Sequence, residues 1–237
     1  MQKLPLWSSF QYALRRSVPI LIGFFPVGVA YGILMARAGY SMVWSALSSL
    51  VVYAGSLQML MVSFLTESLP LMTIVLTALL LNSRHIFYGV SFLDKFRGYG
   101  PWRGFLIYGL TDESYSLLCA YQPREGVSEK WVHIFTTGLI WLYWVAFSAL
   151  GGWVGPRIPF DVTGIDFALT ALFVVILVEQ LKAAGSKLPC LLAAISAVLC
   201  LALLGPERFL LPSLLVTVAA LTALRPRLDK PETEGRA

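Results

Sequence analysis

Residues 69–93 read LPLMTIVLTALLLNSRHIFYGVSFL, an apolar stretch of membrane-spanning length with Arg84 and His85 set inside it. About 20 consecutive apolar residues cross a bilayer as a helix. A charge at that depth is costly unless it pairs or faces a water-filled cavity, so an intramembrane ionisable residue marks a functional site. The next apolar stretch, 102–121, carries a similar cluster, Thr111-Asp112-Glu113. Arg84 lies 14 residues before Gly98 and Asp112 lies 14 after it. If the two stretches form an antiparallel hairpin, both residues sit roughly 15–20 Å from the turn, near the middle of a core about 30 Å thick. Pairing of Arg84 with Asp112 or Glu113 would offset much of the desolvation cost. Such a pair either belongs to a substrate or proton pathway or only fastens two helices, and a buried pair is weak evidence for stability.

The rest of the chain agrees with a membrane location. Of its 237 residues 57% are hydrophobic and 13% charged, with a mean hydropathy of +0.74. A soluble domain averages about 25% charged residues. The net charge of +5 lies in short segments between apolar stretches, where it sets orientation rather than binding nucleic acid. Cys119, Cys190 and Cys200 fall in apolar sequence and read as small buried hydrophobes. With only His85 and His133 beside them, no metal-ligand spacing is present, and no cofactor is expected. The first apolar stretch follows Arg15-Arg16 and lacks a small-residue cleavage site, so it is expected to stay as a membrane helix.

Eight candidate segments can be drawn: 17–36, 42–66, 69–93, 102–121, 130–154, 165–181, 188–205 and 208–224. Residues 1–16 form a short N-terminal segment, 17–224 one transport domain and 225–237 a charged tail expected to be disordered. Full alternation from a cytoplasmic N-terminus distributes Lys and Arg 11 inside to 6 outside, leaving Arg84 aside. Re-entrant second and sixth segments improve this to 13 and 4, in line with the positive-inside tendency. The inside set then holds Lys95, Arg97, Arg103 and Arg157, and both termini are cytoplasmic. The expected architecture is therefore an all-α polytopic membrane protein with about six full spans and two re-entrant segments, seven to eight full spans being the alternative. Segments two and six also align without gaps at an offset of 122 residues, ending on Gln58 and Gln180. If that repeat is real, each half has an odd number of spans and the halves are inverted, with the site at their interface.

The side chains around Arg84 are of transport type. Asn82, His85 and Gly89 share one helix face, and Arg84 and Tyr88 share the next. His85 titrates near neutral pH when unperturbed, which suits proton handling, although a lone helical histidine is also commonly structural. Pro26 and Gly28 favour a break or kink in the first segment. Gly55, Ser56 and Gln58 suggest a broken helix whose N–H groups receive a carboxylate. Asp166, Glu179 and Gln180 are the second-half candidates, and most of the tryptophans read as interfacial anchors.

These motifs resemble the AzlC (YgaZ-like) family, the large subunits of bacterial branched-chain amino acid exporters. The matching elements are Pro26-x-Gly28, Gly55-Ser56-x-Gln58, Asn82-x-Arg84-His85-x-x-Tyr88-Gly89, Thr111-Asp112-Glu113 and the 164–173 stretch, over residues 10–225. Leu57 departs from the small polar residue of the family pattern. The resemblance implies export of valine, leucine, isoleucine and sometimes methionine across the bacterial inner membrane, with a small AzlD-type membrane subunit. No phosphate-binding loop is present, so secondary transport, coupled to protons, is expected. The competing readings are a channel and an intramembrane enzyme built on Ser56, His85 and Asp112.

Overall fold

The computed structural model describes residues 6–158, 174, 178, 181, 187–205 and 209–228. The described elements are all helical, as expected. The chain forms two compact units, residues 1–69 with 81–172 and residues 70–80 with 173–237. Segment 165–181, with Asp166, Glu179 and Gln180, lies outside the described residues apart from single positions.

In the first unit, α1 (Leu6–Arg37) packs along α7 (Glu129–Val154). Phe10 meets Phe135 with ring centroids 5.5 Å apart, and the Ser17 hydroxyl lies 3.0 Å from that of Tyr143. Farther along, a Cβ on Gly28 would stand 2.7 Å from Phe147 Cβ, and one on Gly155 2.9 Å from Ala36 Cβ. Contact positions rise together along both helices, so α1 and α7 run parallel. An inverted repeat offset by 122 residues would make them antiparallel, and that expectation is corrected here. The break expected at Pro26 and Gly28 is also absent: α1 is helical through both. Gly28 instead lets α7 approach closely.

Segment 42–66 is broken, as its glycine and polar residues suggested. It forms α2 (Met42–Val51) and α3 (Gly55–Thr66). Tyr53, at the break, has φ 44°, a conformation an aromatic residue adopts only when its surroundings enforce it. α2 starts beside the C-terminal end of α7, where a Cβ on Gly152 would lie 2.9 Å from Met42 Cα. It runs inward until Trp141, midway along α7, reaches the Leu50 carbonyl. The direction of α3 follows from α4 (Leu71–Phe92). Ser56 on α3 and Arg84 on α4 touch. From there α3 runs about 15 Å to Thr66 and α4 runs back about 20 Å to Leu71. Only residues 67–70 join them, spanning at most roughly 17 Å. Thr66 and Leu71 must therefore lie at the same end, and α2–α3 returns to the end from which it entered.

Segment 102–121 requires the second correction. It does not cross. It breaks into α5 (Trp102–Tyr108) and α6 (Asp112–Cys119), each too short to span. Tyr99, before α5, and Tyr121, after α6, both place their rings against His133, at 6.0 and 5.5 Å. Residues 99 and 121 are thus at one end, and that end also holds the start of α1. Arg16 donates to the Ala120 carbonyl at 3.1 Å, and the Ser8 hydroxyl to the Gly126 carbonyl at 2.6 Å. The physical reason for the break is local. Gly109 sits where a Cβ would be 2.1 Å from Thr137 of α7. Thr111 and Ser114 then form a capping box that starts a new helix, and Asp112 and Glu113 occupy its first turn, where negative charge is favoured.

The order is thus a long helix followed by a re-entrant hairpin, repeated in the opposite sense: α1 and α2–α3, then α4 and α5–α6. Each hairpin has its own apolar cluster. Tyr31, Met35, Tyr53, Met59 and Trp144 surround the first. Phe92, Phe96, Leu106, Leu110, Leu118 and Ile134 surround the second. Trp144, only 3% exposed, is a core residue rather than an interfacial anchor. α1, α4 and α7 (extended by a turn at Gly155–Arg157) are long and apolar enough to cross a membrane.

This path also moves charges. Arg15, Arg16, Lys95, Arg97, Arg103, Arg124 and Lys130 share the near end, where α1 begins, and Arg37 and Arg157 share the far end. Arg157 therefore leaves the expected basic set, while Arg124 and Lys130 join it. Single cysteines replacing Arg97 and Arg124, in a background lacking the native cysteines, are expected to label from the same side of the membrane, and one replacing Arg37 from the other. Opposite labelling of positions 97 and 124 would restore a full span for 102–121.

In the second unit, α8 (Leu188–Leu204) turns at Gly205, φ +77°, and packs against α9 (Leu210–Leu228). α9 continues past Arg225, where the tail was expected to begin.

Candidate functional site

The tips of the two hairpins meet. The Tyr108 hydroxyl, ending α5, donates to the carbonyls of Leu50 and Val51 at 2.6 and 3.1 Å, ending α2. These are carbonyls that a helix C-terminus leaves without intrahelical partners. The Tyr53 and Tyr108 rings lie 6.0 Å apart.

Arg84 joins the two helix starts beyond the breaks. One terminal nitrogen donates to Ser56 Oγ at 2.8 Å, in the first turn of α3. The other lies 3.0 Å from Asp112 Oδ2, in the first turn of α6. The expected pairing of Arg84 with the acidic element is therefore made through Asp112. The Tyr88 hydroxyl donates to Asp112 Oδ1 at 2.5 Å, and its ring stacks on Tyr115 at 4.5 Å. Asp112 thus accepts from both a guanidinium and a phenol. Its side chain is 35% exposed and that of Arg84 23%, so the pair is not sealed within the protein.

Three polar atoms nearby in sequence or space remain buried and without a hydrogen-bond partner: Arg84 Nε, Asn82 Oδ1 and the Tyr53 hydroxyl. Buried polar groups are normally satisfied, and exceptions call for an explanation such as a missing ligand or water. Glu113 follows Asp112 in α6, and among the described residues no cation lies within ion-pair distance of it. The Arg84 guanidinium therefore pairs with Asp112 and leaves the neighbouring Glu113 without a cation of its own.

The other sequence candidates separate from this group. His85 stands beside Tyr88, ring centroids 5.8 Å apart, and forms no hydrogen bond among the described residues. The Ser56–His85–Asp112 set is not assembled, since Ser56 is bonded to Arg84. Gly55 opens α3, and a Cβ there would be 3.3 Å from Trp144. Gln58 is fully buried. Its carbonyl oxygen accepts from Ala54 N–H at 3.2 Å and Trp144 Nε1 at 2.9 Å, and its amide donates to Ser49 at 3.0 Å. These bonds tie the two sides of the first break together. Gln58→Leu leaves the Ala54 and Trp144 donors unpaired, at about 1–3 kcal/mol. A lower melting temperature in detergent with unchanged substrate preference is expected. Normal melting with altered preference would return Gln58 to the pathway. Gly28 belongs to the α1–α7 packing, while Pro26 lies exposed on α1.

Tyr53, Tyr108 and the buried His133 were missed by sequence reasoning. Nothing in their spacing distinguishes them from other aromatic or polar residues in apolar stretches. His133 lies 3.3 Å from the Tyr99 hydroxyl and 3.8 Å from Glu129, which pairs with Lys95 at 2.6 Å. With the Tyr121 ring also against His133, this set ties α7 to both ends of the α5–α6 hairpin.

A family model described as AzlC protein matches residues 19–158. The chain belongs to the AzlC family. It is 37% identical to the branched-chain amino acid transport protein AzlC of Bacillus subtilis, over 96% of this chain and 89% of that one. It is 38% identical to a membrane protein of Helicobacter pylori, over 93% and 97% of the two chains. It is 27% identical to the inner membrane protein YgaZ of Escherichia coli, over 94% and 93%. No solved structure matches. The AzlC membership and the long apolar helices make this a multi-pass membrane protein with a transport role.

Proposed function

We propose that this AzlC-family protein is a secondary exporter of branched-chain and similar apolar amino acids, driven by protons. One observation carries the reading: Arg84 links Ser56 and Asp112, the first turns of two helices that start at mid-depth in hairpins entering from opposite ends. A zwitterion needs partners for both charges. The helix start at Gly55-Ser56 and the free Arg84 Nε suit its carboxylate. Asp112 is paired with Arg84 while Glu113 has no cation within ion-pair distance among the described residues, which leaves an acceptor for the ammonium or for a proton. The surrounding leucine, methionine and phenylalanine side chains suit an aliphatic side chain. A pocket of that kind separates substrates differing by one methylene by only about 1–3 kcal/mol, so several apolar amino acids should pass.

The Tyr108 contact with Leu50 and Val51 closes the thin barrier between the hairpins, and its separation would expose the site to one end at a time. The basic near end is the cytoplasmic one by the positive-inside tendency. This supports a cytoplasmic N-terminus, and the basic residues from Arg225 onward support a cytoplasmic C-terminus. The bilayer is the bacterial inner membrane. A small AzlD-type subunit, implied by the family resemblance, completes the exporter.

Cells loaded with dipeptides should release leucine, isoleucine and valine faster with the protein and its small partner than without, and lysine no faster. Equal export of lysine and leucine would remove the pocket. In vesicles with the membrane potential clamped, a protonophore should slow efflux, and unchanged efflux would remove proton coupling. Current without saturation by an amino acid would favour a channel.

A further inference from the structure

The near end of the bundle holds a feature that the transport site does not use. A cavity of about 620 Å³ opens between the start of α1 and the 120–128 connection, lined by Gln11, Tyr12, Arg15, Arg16, Arg124 and Glu125 among others. Three guanidiniums against one carboxylate leave a positive excess. Among the described residues, none of the three arginines has a carboxylate within ion-pair distance. Lys95 and Arg97, at the same end, are each paired. Arg16 is fixed by its bond to the Ala120 carbonyl. Arg15 and Arg124 carry no such tie.

The α1 face leading away from the cavity indicates what kind of anion fits. Gln11, Arg15, Val18, Ile22 and Phe25 recur at i, i+4, i+7, i+11 and i+14, one stripe of a helix. The stripe is polar where it lines the cavity and apolar beyond it, with Val18, Ile22 and Phe25 exposed by 40, 67 and 51%. A free phosphate would use only the arginines. A phospholipid uses both parts, its phosphate among the guanidiniums and an acyl chain along the apolar stripe. Guanidinium groups bind phosphate oxygens through paired, charge-assisted hydrogen bonds, and basic pockets at the cytoplasmic edge of membrane helices suit anionic headgroups.

We infer that the Arg15–Arg16–Arg124 cavity is a binding site for an anionic phospholipid, occupied by its phosphate and continued by an acyl chain along Val18, Ile22 and Phe25. The site pins the start of α1 to the connection between α6 and α7, and so steadies the outer end of the α5–α6 hairpin.

The full chain, purified in a neutral maltoside detergent, tests this by thermal unfolding. Short-chain phosphatidylglycerol should raise the melting temperature saturably, while phosphatidylcholine of the same chain length and inorganic phosphate should not at equal concentration. Arg15→Gln with Arg124→Gln should weaken the response roughly tenfold or more, given the contribution of each basic residue near a membrane surface. Arg103→Gln, another basic residue at that end, should leave it unchanged. If the double variant does not fold, Arg124→Gln alone, in the connection, should still weaken it about fivefold. Equal stabilisation by the two lipids overturns the site in favour of a non-selective lipid coat. An equal response to inorganic phosphate overturns the lipid assignment. Unchanged affinity in the variants overturns the location.

Discussion

Arg84→Ala is expected to abolish transport, to below about one-hundredth of the parent rate, because it removes the one group that holds both helix starts. Without it, Asp112 keeps the Tyr88 hydroxyl but faces Glu113 with no cation, and Ser56 loses its donor. Breaking a fully buried pair from one side costs about 3–5 kcal/mol. Here the partners are 23 and 35% exposed, so the loss of stability should be smaller, about 1–2 kcal/mol after allowance for solvent screening. Transport should therefore fall much further than expression. Asp112→Asn combined with Arg84→Ala tests the link, as does Ser56→Ala combined with Arg84→Ala. Groups in one network show non-additive effects of about 0.5–3 kcal/mol. Effects that simply add in both pairs would make the three residues independent and would end the reading of Arg84 as a bridge.

Gly32→Ala should cost more stability than any other single methyl added along α1. The new Cβ would stand 2.2 Å from the Ser148 carbonyl oxygen, 2.4 Å from the Gly152 nitrogen and 2.7 Å from the Gly151 carbonyl carbon. All three are backbone atoms of α7 and cannot swing aside as a side-chain end can. Gly151 is matched on the other side, its Cβ falling 2.1 Å from the Val29 carbonyl oxygen. The helices would have to separate along their whole contact, and overpacking of this type costs about 1–3 kcal/mol or more. Size-exclusion profiles and melting temperature should show loss of folded protein. Gly23→Ala is the control on the same helix: nothing lies within 4 Å of its Cβ. It should be neutral or slightly stabilising, since alanine favours helix by about 1 kcal/mol over glycine. Equal behaviour of the two variants would mean that α1 and α7 do not pack as described.

Much of the site was legible as chemistry before it was legible as geometry. Arg84 and the Asp112–Glu113 element stand out because ionised groups within apolar stretches must find partners, and equal distances from Gly98 suggested that they pair. The break at Gly55 was legible for a similar reason: a glycine with Ser56 and Gln58 beside it in an apolar segment makes a poor continuous helix. The break at Gly109–Thr111 was missed. Segment 102–121 has span length, and its Thr-Asp-Glu reads as a charged patch on a helix as readily as a helix start. Only the approach of Thr137 to Gly109 and the bonds between Thr111 and Ser114 show that a new helix begins there.

That single misjudged segment changed the topology. A segment that returns to its starting end reverses every later crossing, which moved Arg124, Lys130 and Arg157 and made α1 and α7 parallel. By itself the sequence determined that this chain is a helical membrane protein and which ionisable residues within it need partners, because the cost of burying charge and unpaired backbone in a bilayer is local and depends on composition. Which helices break, which way each one runs and which side chains plug the breaks were decided only by the tertiary structure. Those outcomes rest on contacts such as Gly109 with Thr137, Gln58 with Trp144 and Tyr121 with His133, made between residues far apart in the chain.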